Sequence, residues 1–160
     1  MLFLPAMATQ IDVTAGDNTI TAALESANPG DVLLLSSSGG IYQNDPLFID
    51  KPITIKAAAG LEAKPVLKYL WADNAETITE QFKTMFMVYT DFRLEGVEVT
   101  MTGDPALVTP EISTSMIKNR ANTNATIQLH DLFVHDLNVV VNNVTSAPDT
   151  LTTAAGTELY

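Results

Sequence analysis

Apolar residues in this chain fall in short bursts, alternating with polar ones and broken by Gly, Pro, Asn and Asp. The stretch from Thr21 to Ala58 shows the pattern best. Ala22, Ala23, Leu24 and Ala27 recur at helical spacing and predict a short amphipathic helix with one face on a core. Asn28-Pro29-Gly30-Asp31 stops it, because proline lacks a backbone donor and glycine tolerates positive φ. Val32 to Leu35 is an uninterrupted apolar run and predicts a buried strand. Gly39-Gly40 turns the chain into Ile41 and Tyr42, and two more short strands follow at Leu47 to Ile49 and at Ile53 to Ile55.

A repeat lies further along. Phe92 to Val99 aligns without a gap on Ile127 to Val134, and both segments follow apolar-x-apolar-x-bend-x. Phe92, Leu94, Val97 and Val99 match Ile127, Leu129, Leu132 and Val134, a period-two strand signal on each side of the bend. Gly96 and Asp131 hold the bend, and both residue types accept a left-handed backbone more readily than most. Two strands meeting at such a corner form part of a solenoid coil. The spacing of the copies exceeds one bare coil, so a loop is expected at Gly103 to Pro110 or at Asn119 to Asn124. A second insertion is expected over Asp73 to Gln81. Further strands are predicted at Val66 to Leu70, Lys83 to Val88, Ser115 to Ile117 and Asn138 to Val141, whereas Asp149 to Gly156 reads as a loop or a fraying tail. An antiparallel sandwich would also repeat alternating strands, but it calls for Asn-Gly or Asp-Gly hairpins, and the sequence contains neither.

The order helix, Ala27-Asn28-Pro29-Gly30-Asp31, strand, Gly40-Ile41-Tyr42, then Lys51-Pro52-Ile53-Thr54-Ile55-Lys56-Ala57 resembles the opening of secreted parallel β-helix proteins of the pectate-lyase-like superfamily. The likeness is to the chondroitinase B and alginate lyase type and covers roughly the first third of the chain. It implies an all-β fold, a right-handed parallel β-helix whose short N-terminal helix plugs one end of the solenoid. The expected organisation is a single domain over 9–160, with 1–8 either a signal-peptide remnant cleaved at Ala6-Met7-Ala8 or a strand on the first coil. The resemblance favours secretion to the cell surface or medium. No element comparable to the helix precedes Tyr160, so either the natural chain continues or the last coil pairs end to end with another molecule.

Charge narrows the partners. Nineteen acidic against eight basic side chains give a net charge of −11. Nucleic acid and an anionic membrane surface are both disfavoured as partners. Polyuronate or sulfated glycans would also be repelled unless Ca²⁺ bridges the two negative surfaces. No apolar run is long enough to span a bilayer, and with no cysteine there is no disulfide or thiolate chemistry.

Candidate chemistry is sparse. Lyases of the resembled type remove the proton beside a uronate carboxylate, using a cation and a basic side chain carried on later coils. Lys118 with Arg120 is the only local basic pair, and within Asn119-Arg120-Ala121-Asn122 it reads as a solvated loop pair, with a catalytic pair as the alternative. Paired-carboxylate hydrolase signatures, nucleophile elbows and phosphate loops are absent from the sequence. Stacking the repeat in register puts Glu95 beside His130, Glu98 beside Phe133 and Thr100 beside His135. Glu95, His130 and His135 then form a candidate site for Zn²⁺ or another divalent ion, although their spacing follows no metal motif. Phe133, Tyr89 and Trp71 are the aromatic candidates for stacking on sugar rings, and Asn138, Asn142 and Asn143 for a side-chain ladder. Two sequons, Asn124-Ala125-Thr126 and Asn143-Val144-Thr145, matter only in a eukaryotic secretory host. Three functions follow: a non-catalytic extracellular module for glycan binding or surface structure, which is the expected one, the N-terminal part of a polysaccharide lyase, or a fibre subunit.

Overall fold

A computed structural model describes residues 8–69, 84–100, 115–120, 125–137, 139–143, 150–153 and 158–159, the last three segments as backbone only. The expected insertion at Asp73 to Gln81, the loop at Gly103 to Pro110, Trp71 and Asn138 lie outside these residues.

Strand follows strand in a fixed rotation over three sheets. β1 (Gln10–Val13) and β2 (Gly16–Asp17) precede the helix α1 (Thr19–Ser26). The next turn contains β3 (Val32–Leu35), β4 (Ile41–Asn44) and β5 (Leu47–Ile49). It is followed by β6 (Ile53–Ala57), β7 (Val66–Tyr69) and β8 (Thr84–Val88). Then come β9 (Phe92–Glu95), β10 (Glu98–Thr100) and β11 (Ser115–Asn119), and after them β12 (Thr126–His130), β13 (Phe133–His135) and β14 (Val139–Asn143). β15 (Thr150–Thr153) and β16 (Glu158–Leu159) complete the order.

The first sheet runs β1-β3-β6-β9-β12-β15, the second β2-β4-β7-β10-β13-β16 and the third β5-β8-β11-β14. Every pairing is parallel, so the chain forms a parallel β-helix and the antiparallel alternative is excluded.

Alternation within each strand builds the core. Leu33, Ile55, Leu94 and Leu129 share one inward column of the first sheet and are fully buried. Tyr42, Leu67, Val99 and Val134 form the inward column of the second, and Leu47, Phe86 and Ile117 that of the third. Each such side chain contributes about 1.5–3 kcal/mol by leaving water. A hydroxyl pair, Thr84 Oγ1 to Ser115 Oγ at 2.7 Å, is enclosed in the same core.

Several expectations are corrected in detail. Val32 to Leu35 is buried on one face only, Leu33 and Leu35 pointing inward while Val32 and Leu34 stay partly exposed. The helix packs through Ile20 and Leu24, with Ala27 buried just beyond it, whereas Ala22 faces solvent. Thr150 to Thr153, read as part of a loop or tail, is a strand in register with Thr126 to Leu129, because backbone pairing to an open sheet edge needs no apolar signal. Asn119 is the last residue of β11, and residues 121–124 of the loop expected there lie outside the described residues.

Asp31 closes the first turn. Its buried carboxylate accepts the Thr9 and Asn28 backbone N–H groups, each at 2.8 Å, and the Thr9 bond spans 22 residues, one turn of the solenoid. These bonds, Asn28 first and Thr9 second, hold the carboxyl below its ordinary range.

Candidate functional site

The corner between the first and second sheets sets the outer surface. Gly96 (φ 73°) and Asp131 (φ 51°) both take the left-handed backbone foreseen for the bend. A Cβ on Gly96 would stand 3.1 Å from the Ala57 Cβ, so the turns also touch closely there. Lys64, on the segment between β6 and β7, reaches across to Asp131. Its Nζ lies 2.7 Å from the Asp131 carboxylate and 2.8 Å from the Asp131 carbonyl oxygen, 67 residues away in sequence. The strap borders a polar recess of about 350 Å³ that Glu62, Glu95 and Gly96 also line.

Two outward columns run along the second sheet. One carries Ile41, Val66, Glu98 and Phe133, and the other Gln43, Lys68, Thr100 and His135. Neighbours in a column are about 4.8 Å apart, the spacing of paired strands. Ile41 is 52% exposed, and Val66, Lys68, Phe133 and His135 are half-buried. The register pairs expected from the repeat are all present: Glu95 beside His130, Glu98 beside Phe133, and Thr100 beside His135.

His135 is clasped by two carboxylates. Its Nε2 is 3.1 Å from Glu98 Oε1 and its Nδ1 is 2.8 Å from Asp136 Oδ2, an oxygen that also accepts the Thr100 hydroxyl at 3.3 Å. Burial alone would lower the imidazole pKa, but the hydrogen bonds to Glu98 and Asp136 outweigh it and raise the value above 6.5. In the protonated ring both nitrogens donate to these carboxylates, and no lone pair is left for a metal. The Phe133 ring lies 4.9 Å from it, tilted by 32°.

The other candidates are dispersed. Glu95 accepts two bonds from Arg93, at 2.6 Å and 3.0 Å, on the outer face of the first sheet, where His130 is its neighbour. His135 stands past the corner, on the second sheet, so Glu95 and His130 share a face that His135 does not. Among the described residues no group of three or more His, Asp or Glu side chains is arranged to hold a metal. Tyr89 is 40% exposed but follows β8 on the third sheet, away from Phe133.

Lys118 corrects the reading of a solvated loop pair. It stands inside β11, 4% exposed, with Met87 as its register neighbour. The backbone N–H of Arg120 extends the ladder to the Val88 carbonyl at 2.7 Å. Sequence reasoning also missed Lys68, whose place beside Thr100 and Gln43 depends on a strand outside the visible repeat.

These features define the class as a parallel β-helix with a short helix at its N-terminal end and an outer face of mixed apolar, acidic and basic residues. No protein-family model matches the chain, and no curated protein does. Among solved structures, a PL6 family alginate lyase, AlyGC, matches 91% of this chain over 20% of its own length, at 20% identity and a TM-score of 0.52. An arginine-to-alanine mutant of that enzyme matches 94% of this chain over 21% of its own, at 19% identity and a TM-score of 0.57. The chain therefore spans about one fifth of the length of those lyases. At such identity the likeness shows the fold.

Proposed function

We propose that this chain is an extracellular, non-catalytic β-helix module that binds an acidic polysaccharide along the outer face of its second sheet. One observation carries the reading: a column with Ile41, Val66 and Phe133, broken by Glu98, runs beside a polar column of Gln43, Lys68, Thr100 and His135. The first suits the C–H faces of pyranose rings, and the second suits hydroxyls and carboxylates. Strand spacing repeats both columns at close to the rise of one sugar along an extended glycan. Lys68 places positive charge in that column on a chain with a net charge of −11. The fold likeness to alginate lyases supports a uronate glycan as ligand.

The test is affinity electrophoresis and calorimetry against alginate oligosaccharides, with calcium and with chelator, since calcium would bridge an acidic glycan to acidic protein. Phe133→Ala and Lys68→Ala are each expected to weaken binding about tenfold. Unchanged affinity in both removes this face from consideration.

A second reading, the N-terminal coils of a lyase whose reacting groups lie on later turns, is favoured by the one-fifth coverage of the lyase neighbours. Release of unsaturated uronate by the 160-residue chain itself would overturn both readings, because each assigns this chain no chemistry.

A further inference from the structure

The capped end of the solenoid carries a second surface, independent of the glycan face. Among the described residues the first and second sheets extend one strand beyond β3 and β4, to β1 and β2, whereas the third sheet begins at β5. Helix α1 stands at that end, and between it and β5 lies a groove of about 350 Å³ lined by Thr21, Leu24, Glu25, Leu47, Phe48 and Asp50. In a parallel strand, successive residues aim their N–H and C=O groups to opposite sides. The Ile49 carbonyl accepts the Tyr89 N–H at 2.9 Å, so Ile49 faces β8 and Phe48 directs its own pair toward the groove. The Phe48 ring is 45% exposed.

Charge selects the occupant. Glu25 and Asp50 are exposed in the groove lining, while Lys51, which also lines it, has its amine held by the Ala27 carbonyl at 2.7 Å. A second copy of a chain with net charge −11 would bring like charge to this rim.

We propose that the groove between α1 and β5 docks an extended, basic peptide segment of a partner protein, which adds as a short strand to the edge of β5 opposite β8. Main-chain bonds to Phe48 supply register, its ring covers an apolar side chain, and Glu25 with Asp50 pair the basic ones.

The experiment is fluorescence polarisation with a labelled Val-Lys-Val-Arg-Val peptide and an acidic counterpart, read together with amide shifts of the full chain. The basic peptide is expected to bind in a salt-sensitive way and to shift the amides of Leu47, Phe48 and Ile49. Glu25→Gln with Asp50→Asn weakens it about tenfold, while Phe48→Pro, which deletes the edge donor without touching the ladder to β8, weakens it well beyond Phe48→Ala. Equal binding of the acidic peptide, no shift at these amides, or no binding at all overturns the proposal. So does self-association of the protein that Phe48→Pro abolishes. Should Phe48→Pro fail to fold, the charge variant and the amide shifts still decide.

Discussion

Removing a single oxygen from Tyr42 tests how the first coils are tied together. The side chain is fully buried on the inward face of β4. Its hydroxyl donates to the Val13 carbonyl at 2.9 Å and accepts the Ser37 N–H at 3.0 Å, bonding the end of β1 to the turn after β3. In Tyr42→Phe the ring stays and little cavity opens. The Val13 carbonyl keeps the Ser36 N–H at 3.0 Å and the Ser36 hydroxyl at 3.2 Å, so the acceptor remains satisfied. Ser37 N–H loses its partner in a half-buried place. An orphaned donor costs about 1–3 kcal/mol, and partial access to water puts this one in the lower half of that range. A loss of about 1–2 kcal/mol lowers the melting temperature by roughly 2–8 °C in a domain of this size.

Urea unfolding followed by circular dichroism gives the global number, and hydrogen exchange gives the local one. Ser37 should exchange faster in the variant, whereas the Leu94 and Leu129 amides, several turns away, should not. Tyr42→Ala adds a ring-sized cavity and should cost about 3–5 kcal/mol by analogy with Phe→Ala. A Tyr42→Phe variant within about 0.5 kcal/mol of wild type, with Ser37 exchange unchanged, would refute the reasoning.

Gly96→Ala forces a side chain into a left-handed corner with Ala57 at 3.1 Å, and should cost about 1–2 kcal/mol for the backbone alone, read by thermal melt. His135 predicts a pH profile. Its folded pKa lies above 6.5, so the stability it contributes is complete below that value and fades as pH rises through the folded pKa. The melting-temperature gap between wild type and His135→Asn should therefore narrow from about pH 5 to 8, and a gap that stays constant over that range would show that the clasp carries no proton linkage.

Much of the solenoid is determined by sequence alone, for local reasons. Period-two alternation at Phe92, Leu94, Val97 and Val99 assigns the faces of both strands, and a one-residue slip would turn every apolar side chain outward. Gly96 and Asp131 mark the corner because few residue types hold positive φ at low cost. Together they gave the cross-strand pairs Glu95–His130, Glu98–Phe133 and Thr100–His135 before any coordinates.

What only the tertiary structure decided depends on contacts distant in sequence. Lys118 is buried although lysine is ordinarily a surface residue, because β11 is enclosed on both faces. Thr150 to Thr153 become a strand through pairing to β12, a bond pattern that carries no hydrophobic signature. Asp136 follows His135 in sequence, but only stacking of the turns brings Glu98 to the other side of the imidazole. The Lys64 strap spans 67 residues, and the groove beside Phe48 lies where, among the described residues, the third sheet begins one turn later than the other two. Alternation and bend chemistry are written locally along the chain, whereas the charge and exposure of the outer faces are set by which turn stacks on which.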